Sequence, residues 1–396
     1  MKTPPARVTA HPEANEQLVY FTSTSLLADD RHLVFISDRT GCPNIFVRDL
    51  KNGAERQLTH NTEGWLKSYV YFNGTPYKGL GKASISVHAA SGTVYYIQGR
   101  QIRSVDIHGR ERLLNEYPEG QMTAFTHVSA DGTRLCVPTT DARALDDEKP
   151  VPANKPGYDI DDRVQVEGLS SYLRVYDTAT GREIQTVPVP RAWITHVQFS
   201  PSNPDLILYN HEWPTSDWGI RRMWLWDGSR HLQMRRESGA GISPVRSRHD
   251  WTCHEMWERD GSAIIYHGSY YKETPSLGDC AYIGRMLPDG SGCVEIALPA
   301  GWKRYGHFTV GNPGTLVSDG YYEMPGDKPP GWGGAWVCLL KVDWETKRIE
   351  WVPLCQSGSS WDCQCSHPHP ILNHAADTVY FTSDRDGRRA VYKVAL

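Results

Sequence analysis

Several features are missing from this 396-residue chain, and each absence excludes a class of protein. No apolar run reaches the length of a membrane span, which argues against a membrane protein. The 42 Lys and Arg residues are scattered and are outnumbered by 46 Asp and Glu, so no basic surface suited to nucleic acid is expected. We therefore expect neither nucleic acid nor membrane as a partner.

Signs of export are also missing. The opening stretch MKTPPARVTAHPEANEQ lacks the apolar core of a signal peptide, and the nine cysteines are odd in number and irregular in spacing. Both observations favour the cytoplasm and free thiols rather than a disulfide framework. Phe is scarce (8), whereas Trp (14) and Tyr (20) are abundant, which suits a protein whose rings line polar grooves.

Helical periodicity with capping signals is absent as well, so we expect little helix. The chain instead repeats a pair of strands rich in Val, Ile, Tyr and Trp, with Asp-Gly, Thr-Gly or Asn-Gly turns. Two copies, LVFISDRTGCPNIFVRDLKNG and TVYFTSDRDGRRAVYKV, share an SDR-x-G turn. The seven copies begin at Leu33, Thr93, Thr133, Leu206, Ala263, Thr315 and Thr378.

Seven such units predict an all-β fold, a seven-bladed β-propeller with antiparallel blades around a central channel. We expect a single domain over residues 1–396. The polar, proline-containing segment 141–168 interrupts the third unit and is expected to be a long loop. It could serve as a lid over one end of the channel or be a solvated loop.

Histidines recur near the predicted start of the innermost strand of several units. Equivalent positions on inner strands converge at one end of a propeller channel, so these imidazoles are expected to point towards a common axis. The competing explanation for each one is structural, a hydrogen bond to a neighbouring turn. The histidines are His127, His196, His254, His307, and His367 with His369.

The stretch SSWDCQCSHPHPILN places Gln364, His367 and His369 within six residues. In an extended chain residues two apart share a face, and the interleaved prolines favour extension, so both histidines can reach one ion. Gln364 can add an amide oxygen, and His307 is the natural fourth ligand. Three imidazoles and a neutral oxygen suit Mn, Fe, Co, Ni or Zn. The two cysteines that flank Gln364 could instead form a Cys/His zinc site.

Taken in order, these motifs resemble the oligogalacturonate lyases of bacterial pectin catabolism. The shared features are the terminal Q-x-x-H-x-H, a preceding G-H strand start, H-E-x-W, R-M-W in the fourth unit and the opening SDRTG blade. The resemblance implies His254 as the catalytic histidine and Arg222 as a substrate-binding arginine. It also implies a propeller that holds manganese through His307, Gln364, His367 and His369.

The expected reaction is β-elimination on short 4-linked uronate oligosaccharides, the oligogalacturonides, which gives 4,5-unsaturated uronates. Its first requirement is removal of the C5 proton, which is weakly acidic until a cation or an arginine neutralises the adjacent carboxylate. The metal is the cation that neutralises the carboxylate, and Arg222 is the arginine that can do so. His254, neutral near pH 7, takes the proton. His211 and Arg221 are candidate neighbours that bind the acidic substrate, although an exposed arginine on a blade turn is the commoner explanation for Arg221.

Three alternatives compete with this interpretation. A non-catalytic propeller of the TolB type would share the SDR-x-G hairpins and act as a binding platform, but it gives no reason for the Q-x-x-H-x-H cluster. The propeller of a serine peptidase is disfavoured because the chain has no G-x-S-x-G motif and no α/β segment outside the seven units. Within the lyase interpretation, a different oligouronide such as a glucuronate-containing one is an alternative substrate.

Overall fold

The computed structural model describes residues 4–66, 79–145, 160–212, 222–235, 251–270, 280–298, 306–321 and 335–396. The chain divides into two compact units. The first comprises Met1–Gln57 and Arg248–Leu396, and the second comprises Leu58–Ser247.

Strands make up nearly all of the regular structure. The first unit begins with β1 (Ala6–Arg7), β2 (Glu16–Leu18), β3 (His32–Ser37), β4 (Asn44–Asp49) and β5 (Glu55–Gln57). The second unit contains β6 (Ser86–His88), β7 (Thr93–Gln98), β8 (Gln101–Val105), β9 (Glu111–Glu116), β10 (Gln121–Thr123), β11 (His127–Val128), β12 (Arg134–Asp141), β13 (Ser170–Asp177), β14 (Glu183–Pro190), β15 (Val197–Phe199), β16 (Ile207–Asn210), β17 (Met223–Trp226) and β18 (His231–Gln233). The first unit resumes with β19 (Trp251–Trp257), β20 (Ile264–Tyr270), β21 (Cys280–Met286), β22 (Val294–Ala297), β23 (Phe308–Val310), β24 (Thr315–Tyr321), β25 (Ala335–Asp343), β26 (Arg348–Gln356), β27 (Ile371–Leu372), β28 (Thr378–Ser383) and β29 (Ala390–Ala395). Helix is limited, in the described residues, to short 3-10 segments at Lys82–Ser84 and Ala142–Leu145 and to α1 (Ile160–Val166).

The described strands form seven antiparallel sheets, in which strands that follow one another in sequence are neighbours, except that β10 and β11 both pair with β12 and that β1 pairs with β29. Blades one to six consist of β2–β5, β6–β9, β10–β14, β15–β18, β19–β22 and β23–β26, and blade seven combines β27–β29 with β1. Seven antiparallel sheets with this connectivity are the blades of a β-propeller, so the predicted fold class is confirmed.

Burial explains why central and outer strands have different sequences. The central strand β3, HLVFIS, which pairs with both β2 and β4, is buried at five of its six positions, and a continuous apolar run suits a strand covered on both faces. The outer strand β14, EIQTVPVP, alternates between buried and exposed positions in its second half, as expected where one face meets water.

The two SDR-x-G copies form the same turn, as their sequences predict. Gly41 donates its N–H to Asp38 O at 2.9 Å, and Gly387 donates to Asp384 O at 2.9 Å. Both glycines have a positive φ, 93° and 89°, a region that a residue with a Cβ rarely adopts. The turn therefore requires glycine, and it fixes the register of the strands on either side.

The hydrophobic core lies between neighbouring blades. In the first unit Phe35 of blade one packs in one cluster with Tyr380 and Val391 of blade seven. A second cluster joins blades six and seven through residues that include Val317, Val337, Leu339, Val379 and Phe381. Apolar packing between neighbouring blades therefore stabilises this unit.

Blade seven is completed by residues from both ends of the sequence. The strand β1 pairs antiparallel with β29, with Ala6 opposite Lys393. Beyond this pairing, Val8 donates its N–H to Val391 O at 2.7 Å. These hydrogen bonds tie the first strand to the last one, so the outer edge of blade seven is covered by β1.

The segment 141–168 differs from the expected loop where the structure describes it; residues 146–159 lie outside the described part. It ends in α1, whose Val164 packs in one cluster with Leu169, Met122, Ala144 and Trp193. Burial of this apolar face explains the helix, which the polar composition of the segment did not suggest. Neither α1 nor any other helix in the described residues is long and apolar enough to cross a bilayer.

Candidate metal centre

Three of the predicted ligands lie together in the first unit. His307, His367 and His369 each offer one ligand atom, and these atoms lie within 4.8 Å of one another. His307 is 4% exposed and His369 is fully buried, while His367 is partly exposed. Imidazole nitrogens at this spacing can bind a single divalent cation.

A buried carboxylate organises this cluster, and sequence reasoning missed it. Asp319 on β24 is fully buried and lies opposite His307, whose Nδ1 is 3.2 Å from Asp319 Oδ1. Because a carboxylate accepts, the His307 ring proton is on Nδ1, which leaves Nε2 as the lone-pair donor for a cation. Asp319 Oδ1 also accepts the His307 backbone N–H at 2.6 Å.

The backbone at His369 departs from the predicted extended chain. Its φ is 45°, in the left-handed region that non-glycine residues seldom adopt. The His369 N–H donates to Asp319 Oδ2 at 2.8 Å, so the same carboxylate holds this strained conformation. His367 and His369 thus converge through a left-handed turn, and the alternation expected of an extended segment was the wrong reason for their convergence.

Gln364 lies in a turn, as the sequence suggested, closed by the Ser366 N–H donating to Cys363 O at 2.9 Å. Its Oε1 is buried and has no hydrogen-bond partner in the part of the chain that the structure describes. A buried carbonyl-type oxygen without a partner is costly unless it binds something else. With three imidazoles in the first unit as well, the residues present fit a divalent cation held by nitrogen and amide oxygen.

The alternative Cys/His zinc site does not form in the described residues. Neither Cys363 nor Cys365 belongs to a described group of three ligands whose donor atoms lie within 4.8 Å of one another. Cys363 is exposed and Cys365 is partly exposed.

A glycine precedes His307 because no side chain fits there. A Cβ on Gly306 would lie 1.1 Å from the backbone oxygen of Asp319. The G-H motif is therefore explained by close packing of β24 against the start of β23. Any substitution of Gly306 would displace Asp319, the residue that orients His307.

Two aromatic residues of blade one form an apolar surface beside the histidines. Tyr20 and Phe21 are each 1% exposed. The Phe21 ring lies 5.2 Å from that of His307 and 5.9 Å from that of His369, and the Tyr20 ring lies 4.7 Å from that of His369. Apolar rings beside the imidazoles limit their hydration and fix their orientation. The VYFTS segment gave no signal of this role, because its contacts depend on the packing of distant blades.

His254 lies on β19 at a β-bulge. Cys253 pairs with His267 and Met256 with Ile265, so His254 and Glu255 together oppose a single residue. The φ of His254 is 48°, again in the left-handed region. The bulge redirects the His254 ring to within 4.7 Å of the His307 ring, measured between centroids.

The hydrogen bonds of His254 assign its tautomer. Its Nδ1 lies 2.8 Å from His267 Nε2 and 3.3 Å from Gly306 O. Because a carbonyl oxygen can only accept, the contact with Gly306 assigns the ring proton to Nδ1 and the lone pair to Nε2. His267, 4% exposed, is a second residue that sequence reasoning missed. Its signal was its place in the hairpin, where the Asp260-Gly261 turn puts it opposite Cys253.

The remaining predicted residues belong to the second unit. Arg222 is 3% exposed, and its Nη1 lies 3.3 Å from Glu212 Oε2, so the guanidinium is held in a buried ion pair. Burial, followed by repulsion from His231, lowers the pKa of His211 to about 4, so this imidazole is neutral at pH 7. Arg221 lies outside the described residues.

His127, also in the second unit, has the structural role that was the competing explanation for these histidines. Its Nδ1 accepts the backbone N–H of Phe199 from blade four at 3.1 Å. A histidine at the start of a blade can thus serve as a link between neighbouring blades.

Known proteins resemble the chain over most of its length, although it matches no model of a protein family. It is 26% identical to an oligogalacturonide lyase of Pectobacterium atrosepticum, over 94% of this chain and 88% of the relative. It is 27% identical to an oligogalacturonate lyase of Dickeya dadantii, over 54% of this chain and 53% of the relative.

Solved structures show the same likeness. An oligogalacturonate lyase in complex with manganese superposes with a TM-score of 0.72 at 19% identity, covering 100% of this chain and 97% of that one. The oligogalacturonate lyase of Vibrio parahaemolyticus also gives a TM-score of 0.72, at 21% identity and with 98% and 92% coverage. The resemblance inferred from the motifs is therefore confirmed, and across its length the chain is similar in sequence and in fold to oligogalacturonate lyases.

Proposed function

We propose that the chain is a metal-dependent lyase that cleaves short 4-linked uronate oligosaccharides, the oligogalacturonides, by β-elimination. The observation that carries the proposal is the convergence of three imidazole ligands with a fourth imidazole, that of His254, whose ring lies 4.7 Å from that of His307. The names of the relatives supply the substrate class. The products are 4,5-unsaturated uronates.

The metal is held by His307, His367 and His369, with Gln364 adding its amide oxygen. Neutral nitrogen and oxygen donors suit a first-row divalent cation, and the complex of the structural neighbour points to manganese. When bound, the cation neutralises the carboxylate next to C5 and so makes the C5 proton more acidic. Asp319 keeps His307 in the tautomer that this binding needs.

His254 is the base. Its Nδ1–H is engaged with Gly306 O and His267 Nε2, which holds the ring in place, and Nε2 takes the C5 proton. His267 is a positioning residue, because it touches His254 and not the substrate. Loss of the C4 oxygen then leaves a double bond between C4 and C5, and the proton held on Nε2 passes to the leaving group or to water.

Arg222, His211 and Arg221 remain proposals for binding the acidic substrate. The Glu212 carboxylate neutralises Arg222 in the described structure, so a carboxylate ligand would have to share the guanidinium or displace that partner. The planar guanidinium of Arg222 matches a uronate carboxylate, with which it can form two parallel hydrogen bonds. We further propose that the chain acts as a single propeller domain in the cytoplasm.

The decisive experiment is to incubate manganese-loaded protein with short oligogalacturonides and with glucuronate-containing oligomers of equal length. We expect the ultraviolet absorbance of a 4,5-unsaturated uronate to appear with the galacturonides and to depend on the added metal. A larger absorbance with the glucuronate series would mean that the substrate is a glucuronate oligomer, while the proposed reaction would stand. Binding of every oligomer without absorbance would favour the TolB-like platform.

A further inference from the structure

A second group of metal-binding side chains lies beside the first. Cys253, His254 and His267 each offer one ligand atom, and these atoms lie within 4.8 Å of one another. Cys253 is 7% exposed and His267 is 4% exposed, whereas His254 is partly exposed. Among the described residues, Cys253 is one of eight cysteines that form no disulfide.

The β-bulge in β19 creates this group. Cys253 and His267 are directly opposite each other on β19 and β20, so their side chains share one face of the sheet. In a regular strand the next residue, His254, would point to the other face. The bulge and the positive φ of His254 instead bring its Nδ1 to 2.8 Å from His267 Nε2, on the side of Cys253.

The donors of the two groups differ in kind. The first combines imidazoles with an amide oxygen, whereas the second contains a thiolate once its proton is lost. Thiolate and imidazole together select soft cations, zinc above all, and bind manganese poorly. Three protein ligands with one position left for water is a common zinc arrangement.

We propose that Cys253, His254 and His267 form a second, inhibitory site for a soft divalent cation such as zinc. Binding releases the Cys253 thiol proton to solvent. If His254 binds through Nδ1, its single ring proton moves to Nε2, and if it binds through Nε2, the lone pair is occupied. In either case His254 can no longer accept a proton, so turnover stops while the manganese group is intact. The inhibition rests on the proposed role of His254 as the base, whereas the binding does not.

Cobalt(II) is the probe for binding, because thiolate coordination to cobalt gives a charge-transfer absorption that imidazole coordination lacks. The manganese-loaded protein, in a non-thiol reductant, would be titrated as wild type, Cys253→Ser and Cys338→Ser. Cys338 is a buried thiol on β25 that belongs to neither described group, so it is the matched control. We expect the absorption in the wild type and in Cys338→Ser, and its loss in Cys253→Ser.

Two results would overturn the site. One is a wild type without the absorption. The other is an absorption that survives in Cys253→Ser. Loss of that remaining absorption in a further Cys365→Ser variant would assign it to the pair Cys363 and Cys365. His267→Gln, which keeps the thiol, should weaken the cobalt absorption, and it tests the site independently should Cys253→Ser fold poorly.

Inhibition is measured separately, as the zinc concentration that halves turnover of the manganese-loaded enzyme. Because loss of a ligand weakens a metal site by at least the 10–100-fold typical of outer-shell changes, this concentration should rise at least about tenfold in Cys253→Ser. Equal inhibition of wild type and Cys253→Ser would mean exchange of zinc into the His307 group, and would refute the inhibitory role. A protein that cleaves no uronate would refute the proposed function, while the cobalt titration would still decide the site.

Discussion

Histidines near the start of a blade make different contacts in the two units. In the first unit, His307, His367 and His369 point their nitrogens at one another, and a buried carboxylate fixes their geometry. In the second unit, His127 instead accepts the backbone N–H of Phe199. One sequence signal therefore serves two purposes, and what separates them is the convergence of donor atoms rather than burial.

The largest effect should come from removing a ligand from the group formed by His307, His367 and His369. In His367→Ala we expect loss of the bound metal and of detectable turnover, while the free energy of unfolding changes by about 1–2 kcal/mol, since the fold depends on packing between blades. The measurements are metal analysis, turnover and thermal melting on one preparation. His127→Gln is the matched control and should keep metal and turnover. A His367→Ala protein with full metal and full activity would remove this residue from the ligand set.

Removing the base should leave the metal in place. We expect His254→Ala to lose about 10²–10⁴-fold in turnover, because that is the usual contribution of a general base, with metal content equal to that of the wild type. Substrate affinity should change little. If turnover persists and only the melting temperature falls, His254 has the structural role of His127.

Asp319→Asn tests whether this carboxylate orients His307 for metal binding. The amide keeps the size of the side chain but accepts less strongly from His307 Nδ1, so we expect manganese affinity to fall about 10–100-fold. Turnover should recover at saturating manganese, which separates positioning from catalysis. Unchanged affinity in a manganese titration would show that Asp319 serves only the backbone at His369.

Arg222→Lys asks whether the ion pair of the second unit also serves the substrate. Lysine keeps the charge beside Glu212 but loses the planar fork, so we expect KM to rise about tenfold and turnover to fall. Wild-type kinetics combined with a lower melting temperature would assign Arg222 to stability alone.

The smallest effect on turnover is expected at His211, proposed above as a substrate-binding residue, and its burial also affects stability in acid. Its folded pKa of about 4 lies below the ordinary value of 6.5, so its contribution to stability is complete above pH 6.5 and is lost as pH falls towards 4. The acid-induced loss attributable to this residue is about 3 kcal/mol. His211→Phe should abolish this part of the loss, measured by urea unfolding at pH 7 and pH 4. His108→Phe, at an exposed position, is the control and should follow the wild type.

The fold could be predicted because its determinants are local. Turn glycines such as Gly41 and Gly387, together with apolar strands of the right length, are visible in the sequence, and each hairpin is specified by its own residues. The helix α1 was missed because its stability comes from packing against Trp193 and Met122 and not from its polar sequence.

The site could be predicted only in part. His307, His367 and His369, which the sequence predicts as ligands, do lie together, but Asp319 and His267 require the strand register that places them opposite His307 and Cys253. The positive φ values of His254 and His369 depend on tertiary contacts, so they cannot be predicted from the residue type alone.

The strand β1 also dictates an order of events during biosynthesis. Thr9 Oγ1 accepts the backbone N–H of Val391, and these residues are 382 positions apart in the chain. At about 5–20 residues per second, a ribosome needs roughly 20 to 80 s to make the residues between them. Throughout that time the nascent β1 lacks its partner β29, so blade seven cannot close and its unpaired edge is open to wrong pairing until β29 has been made.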